Sequence, residues 1–199
     1  MKEWAPKEVD YFSKVYSTAE SGNYDIYVVF VERAMQLLDN NGLFGFILPN
    51  KFFQAEYGKN LRYLISRNRY LLEIINFTDQ QVFEQATTYT NLLFLSKAEK
   101  NCFKYAEVTK LENPMNQLAL IKKQNEFRSA DFFVDEINLA NISEKPWQFG
   151  FDEENRLLSK MSSIRPVLSD VCDKIFQGII TGADKVFVLE LEKIGRAHV

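Results

Sequence analysis

The chain has 199 residues, 46% of them hydrophobic and 26% charged, and its 24 basic and 27 acidic side chains leave a net charge of −3. One or two domains of about 100–200 residues fit that length, and an ordinary globular composition excludes disordered, collagen-like and coiled-coil chains. The slight acid excess excludes a global positive field that would draw nucleic acid, so any such binding needs a local patch.

Other function classes fall by count. Cys102 and Cys172 are too few for a disulfide scaffold and read as free thiols of a cytoplasmic protein. No apolar run reaches the roughly 18 residues that a membrane span needs, and the first six residues lack the apolar core of a signal peptide. The sole histidine is His198, which excludes His-based triads, His general bases and His-rich metal clusters. No P-loop and no G-x-G-x-x-G is present.

In chain order, Ile26, Val29, Phe30, Ala34, Leu37 and Leu38 recur at three- and four-residue spacing. That predicts a helix over 24–39 with one apolar stripe. Asn23 is its expected N-cap, Asp25 suits its first turn, and Asn40-Asn41-Gly42 stops it. Residues 43–48 are apolar on both faces and end at Pro49, which predicts a central strand covered on both sides. A second helix is predicted over 52–68, with Phe53, Tyr57, Leu61, Leu64 and Ile65 on one stripe. Lys51, Lys59, Arg62, Arg67 and Arg69 decorate the remainder against Glu56 alone. That local positive excess reads either as a solvated helix face or as a patch near a phosphate backbone.

Residues 71–77 read as a buried strand and 78–88 as a polar loop interrupted by Val82, Phe83 and Ala86. Residues 89–96 and 102–108 read as two strands of a hairpin joined across 97–101. Asn113-Pro114 signals a turn, 117–124 a short helix and 132–134 a strand. The alternation predicts an α/β fold with a mixed sheet carrying an antiparallel hairpin at its end. A boundary near 143–147 separates a first domain, 1–142, from the start of a second α+β or β domain, 143–192. There 152–161 reads as a helix opening on three acids; a metal site is the sharper reading of those acids. Residues 175–180 and 186–189 read as strands around a turn at 181–184, with Gly178 and Gly182 in tight turns. No metal site is assigned. Residues 193–199 do not continue the pattern and read as a non-native tail.

Four stretches then carry a family likeness: Asp25 to Ala34 (DIYVVFVERA), Asn41 to Pro49 (NGLFGFILP), Gly58-Lys59-Asn60-Leu61-Arg62, and Val82 to Asn91 (VFEQATTYTN). Together they resemble the C-terminal half of a DNA adenine-N6 methyltransferase domain of type IIG restriction-modification enzymes. Residues 147–189, with IFQGIITGADKVFV from Ile175 to Val188, resemble the beginning of a TaqI-like specificity domain. The resemblance implies a partial Rossmann-like methyltransferase sheet. It also implies methyl transfer from S-adenosylmethionine to the exocyclic amine of an adenine flipped out of double-stranded DNA.

That chemistry needs a Gly-rich cofactor loop and an Asn/Asp-Pro-Pro-Tyr/Phe motif, and neither is in this sequence; the single Asn-Pro, Asn113-Pro114, is followed by Met115. No catalytic or cofactor-binding residue is therefore assigned. The chain is expected to be a fragment whose cofactor-binding half lies upstream, inactive alone, with residues 43–48 and 71–77 partly exposed as sheet edges. No nuclease constellation is visible.

By the resemblance, Phe83 holds the position that packs on the flipped base; the alternative is a loop anchor. Pro49, Asn50 and Lys51 follow the end of a predicted strand, where clefts of α/β sheets form, although Asn50 could equally cap a helix. Lys59 and Arg62 are the further candidates for DNA contact. The rival readings are a non-catalytic DNA-binding or scaffold module with a methyltransferase-like fold, and a small α/β domain with no DNA role.

Overall fold

A computed structural model describes residues 6–20, 23–83, 88–149, 157, 160–161, 163–166 and 168–172. The chain divides into two compact units between Phe149 and Gly150, a little beyond the expected boundary after residue 142. In the second unit the described residues include a helical turn, Leu168–Val171. The expected strands 175–180 and 186–189, Gly178, Gly182, most of the helix 152–161 and the tail 193–199 lie outside the described residues.

The first unit opens with helix α1, Pro6–Val15, which the apolar spacing did not single out. Helix α2, Tyr27–Leu37, follows. Its buried side is Tyr27, Val28, Val29, Val31, Glu32 and Met35, whereas Phe30 and Leu37 of the predicted stripe face solvent. The residue before its first turn is Ile26, with no side-chain cap, so Asn23 does not play that part. The buried Glu32 carboxylate instead accepts from the backbone N–H groups of Ser17 and Thr18 at 3.1 and 2.8 Å. It thereby ties the short 3₁₀ turn Ser17–Ala19 onto α2.

Strand β1, Leu43–Pro49, is followed by 3₁₀ turns at Asn50–Phe53 and Glu56–Gly58 and only then by helix α3, Lys59–Arg67. The predicted helix 52–68 thus begins late. Then come β2, Leu71–Asn76, β3, Thr90–Ser96, and β4, Cys102–Val108. Helix α4, Pro114–Lys123, starts at Asn113, which adopts φ 44°. The short β5, Phe127–Arg128, and β6, Phe132–Asn138, complete the unit.

The six strands form one mixed sheet in the order β1-β3-β2-β4-β6-β5. β3 runs antiparallel between β1 and β2, so β1 and β2 are parallel to each other, and β2 pairs parallel with β4. Two expectations are corrected. β3 and β4 are not a hairpin: residues 97–101 carry the chain past β2 to the far side, and the antiparallel end of the sheet is β4–β6–β5. β1 is an edge strand rather than a central one, with Leu43 73% and Ile47 38% exposed, which agrees with the exposed edge expected at 43–48, while β2, for which an exposed edge was also expected, lies inside the sheet. A two-sided apolar run therefore does not distinguish an edge strand from an inner one.

One sheet face packs Ile75, Phe77, Ala106, Val108, Phe132 and Val134 against Ile121 of α4. Elsewhere an aromatic cluster joins Phe52, Phe53, Phe103, Tyr105, Trp147 and Phe149, with centroids 4.7–5.9 Å apart. Trp147 donates its backbone N–H to the Phe53 carbonyl at 2.8 Å, so residues just past the expected boundary belong to this unit. Cys102 and Cys172 are both unbridged.

Candidate nucleic-acid interface at the strand ends

The parallel strands β1, β2 and β4 bring their carboxyl ends to one end of the sheet, where α/β folds bind ligands. A polar chain crosses that end. Asn50, just past β1, donates from Nδ2 to Oδ1 of Asn76 at 3.0 Å and to the Thr78 carbonyl at 3.4 Å. Asn76, the last residue of β2, donates from Nδ2 to the Tyr105 hydroxyl at 3.2 Å. Tyr105 in turn donates to Oε2 of Glu107 at 2.5 Å. Burial, with the Glu107 charge beside it, pushes the Tyr105 phenol far above its ordinary pKa, so it keeps its proton.

The same network launches the loop that carries Phe83. Thr78 adopts φ 48°, gives its N–H to Asn76 Oδ1 at 3.3 Å and its hydroxyl to the Val108 carbonyl at 3.2 Å. Gln80 closes a turn onto the Phe77 carbonyl at 2.8 Å and accepts from the Leu111 N–H at 3.3 Å. Val82 packs against the apolar cluster of the sheet, while Phe83 stays 46% exposed. The loop has an apolar anchor in Val82, which leaves the Phe83 ring half free. Residues 84–87 of the family-like stretch lie outside the described residues.

Pro49 and Asn50 are half-buried at the strand end, and Lys51 and Lys59 are exposed beside it, with no ion-pair partner among the described residues. Because α3 runs back from β1 to β2, Lys59 at its start shares the carboxyl end of the sheet, whereas Arg67 and Arg69 sit at the opposite end. The predicted positive patch is thus split. Arg67 lies over the Tyr63 ring with its guanidinium carbon 5.5 Å from the centroid.

Arg62 is corrected outright as a DNA contact. It is 1% exposed, and its guanidinium donates to the carbonyls of Phe52, Ala55 and Glu144 at 2.6, 2.9 and 2.8 Å. A guanidinium buried to that extent is out of reach of a phosphate backbone. The Phe52 and Ala55 carbonyls come from the irregular chain that replaces the start of the predicted helix, where the Ala55 carbonyl also accepts the Gly58 N–H at 3.0 Å, and Arg62 draws them together with Glu144.

Sequence reading missed Asn76, Tyr105, Glu107 and Asn91. A polar residue closing an apolar strand, as in Ile74-Ile75-Asn76, is the one local signal that could have found the first. Asn91, fully buried, donates to the Leu48 carbonyl at 3.2 Å while its Oδ1 has no partner, and neither has the Thr90 hydroxyl. Behind the strand end, Tyr27 and Tyr57 share a hydrogen bond of 2.8 Å, and Tyr57 donates to Asp25 at 3.4 Å.

The described glycines offer no open cradle for a nucleoside cofactor. A Cβ on Gly42 would meet the Leu38 side chain, on Gly45 the Phe94 ring, and on Gly58 the Phe52 backbone. None of these three glycines therefore forms a cradle for S-adenosylmethionine. No group of three or more His, Cys, Asp or Glu among the described residues could hold a metal ion, which leaves 152–154 untested. No helix among the described residues is long and apolar enough to cross a membrane.

Residues 1–83 match the family described as Eco57I restriction-modification methylase. The chain resembles restriction-modification methyltransferases. It is 42% identical over 108 residues to the type II restriction enzyme and methyltransferase RM.Eco57I of Escherichia coli, covering 54% of this chain and 11% of that protein. It is 24% identical over 199 residues to the type II methyltransferase M.PaeR7I of Pseudomonas aeruginosa, covering 96% of this chain and 33% of that one. The chain therefore spans a third or less of these methyltransferases. The fold is similar to that of the type IIG restriction endonuclease BpuSI, with TM-score 0.54 and 12% identity over 71% of this chain and 18% of the other.

Proposed function

We propose that this chain is the C-terminal part of the methyltransferase domain of a site-specific DNA adenine-N6 methyltransferase, belonging to a cytoplasmic restriction-modification system. In this reading residues 150–192 open a TaqI-like specificity domain. The chain's own part is to receive an adenine flipped from double-stranded DNA. A methyltransferase cannot reach the amine inside the base stack, so the base must be extruded and held by stacking. The observation that carries the reading is the half-exposed Phe83 ring, on a loop pinned to the ends of β2 and β4 while Val82 takes the apolar packing.

Phe83 stacks on the base, Pro49, Asn50 and Lys51 line the cleft beside it, and Lys59 neutralises a nearby phosphate. The methyl donor, S-adenosylmethionine, would be held by residues outside this sequence, which contains neither a Gly-rich cofactor loop nor an Asn/Asp-Pro-Pro-Tyr/Phe motif. Methyl transfer by these residues alone is not expected, and labelled methyl groups appearing on DNA mixed with this chain would overturn that.

The stacking role is tested with a duplex holding an unpaired 2-aminopurine opposite an abasic site, which is extruded at little cost. The wild-type chain should bind it and quench or shift its fluorescence. Base–aromatic stacking contributes about 1–3 kcal/mol, so Phe83→Ala should weaken binding roughly tenfold. Equal affinity of the two proteins would end the role of Phe83.

A further inference from the structure

We infer that Asn50 and Asn76 form a base-reading pair, in which Asn76 turns the Asn50 carboxamide so that its Oδ1 is offered as an acceptor to the exocyclic amino group of a nucleobase. The inference rests on the proposed DNA-binding reading and adds to it which chemical group is read, by which atom.

The orientation of both carboxamides follows from groups that cannot be reassigned. The backbone N–H of Thr78 can only donate, so the Asn76 atom it meets at 3.3 Å is the oxygen. At the other end, the Tyr105 hydroxyl gives its proton to the Glu107 carboxylate, so it accepts from Asn76 Nδ2. Asn76 is thus locked from both sides. Its Oδ1 and the Thr78 carbonyl are both acceptors, so the Asn50 atom facing them at 3.0 and 3.4 Å is the nitrogen. A flipped Asn50 would set three oxygens against one another. The Oδ1 of Asn50 is what remains, half-buried at the carboxyl end of β1, with no partner among the described residues.

A second observation points the same way. Asn91 lies directly across the ladder from Asn76 and from Leu48. Its Nδ2 is spent on the Leu48 carbonyl, and its fully buried Oδ1 is unpartnered. Two carboxamide oxygens without donors therefore belong to one end of the sheet, and a buried acceptor left unmatched costs about 1–3 kcal/mol. The two carboxamides at this strand end have spent their donors and offer acceptors, while the donors nearby are the Lys51 ammonium and the Thr90 hydroxyl. The acceptors fit the amino edge of adenine or cytosine and oppose the carbonyl edge of thymine or guanine.

The test uses the full 199-residue chain and duplexes identical except for one unpaired base opposite an abasic site: adenine, hypoxanthine, cytosine or uracil. Hypoxanthine and uracil replace the amine of adenine and cytosine by a carbonyl. The wild-type chain should prefer adenine to hypoxanthine about three- to tenfold, the range of one neutral hydrogen bond. The cytosine–uracil pair shows whether a pyrimidine amine is read as well. Asn50→Ala should erase the preference, so that the adenine and hypoxanthine duplexes bind with equal affinity. Asn76→Ala should do the same, although it removes no atom proposed to touch DNA. Should Asn76→Ala not fold, Asn50→Ala decides alone, since its side chain is only half-buried. A preference that survives Asn50→Ala, or a wild type that binds all four duplexes equally, overturns the inference but leaves the DNA reading standing. Failure of the wild type to bind any of the duplexes ends both.

Discussion

Arg62 donates through Nη1 to the Phe52 carbonyl at 2.6 Å from a position only 1% exposed to solvent. Two further carbonyls, of Ala55 and Glu144, complete its coordination. One cation thus fastens α3 to both irregular turns after β1 and to the segment leading to Trp147. Burial pulls the guanidinium pKa down, while the Glu56 and Glu144 charges pull it up; an arginine keeps its proton in either case. Truncation would take the guanidinium donor from three carbonyls, of which that of Ala55 keeps a backbone donor, the Gly58 N–H at 3.0 Å. Arg62→Ala should therefore destabilise the chain by about 3–5 kcal/mol, read as a lower urea midpoint. Lys59→Ala, by contrast, should leave the midpoint in place and weaken DNA binding, with a shallower dependence on salt.

Gly58 supports the same turn from below. A Cβ there would stand 2.2 Å from the Phe52 carbonyl oxygen and 2.8 Å from its Cα. Both are backbone atoms held by Arg62, so neither yields cheaply. Gly58→Ala should cost about 1–3 kcal/mol by overpacking, with a thermal midpoint lowered by several degrees as the measurement.

The open edge of β1 carries no charged residue and exposes Leu43 and Ile47. Unpaired backbone groups beside apolar side chains template pairing with another strand. The isolated chain should self-associate with rising concentration in sedimentation velocity. Ile47→Lys should shift it toward monomer, because a lysine on an edge strand opposes pairing. Monodisperse wild type at high concentration would refute the idea.

Tyr27 and Tyr105 supply the pH dependence. Burial first, and then the hydrogen bond to Tyr57 or the Glu107 charge, raises both phenols well above their ordinary value. Below about pH 10 both states keep these protons and stability does not change on their account. Above it the unfolded chain ionises while the folded chain cannot, so stability falls by about 1.4 kcal/mol per pH unit for each phenol. Urea midpoints between neutral and strongly alkaline pH should show that decline, and the double variant Tyr27→Phe with Tyr105→Phe should flatten it.

Much of the local structure is legible along the chain. Apolar runs mark β1 to β4, three- and four-residue spacing marks α2 and the later part of α3, and α4, Pro114–Lys123, is legible as a short helix at 117–124, begun three residues late because Asn113-Pro114 reads as a turn. Those signals are legible because helix and strand periods are short and need only neighbouring residues. The candidate site was half legible: Asn50 and Phe83 stand at a strand end and in a polar loop, but nothing local joins Asn50 to Asn76 or Asn76 to Tyr105.

Strand order was settled by pairing across long stretches of chain. An apolar run looks the same whether it lies at an edge, as β1 does, or inside, as β2 does, and β3 left its sequence neighbour β4 to pair with both. Arg62 shows the limit most plainly. Among lysines and arginines of similar spacing it reads as one more surface charge. It is buried where three carbonyls from segments up to 82 positions away arrive together and accept from it, a meeting that exists only once the chain has folded.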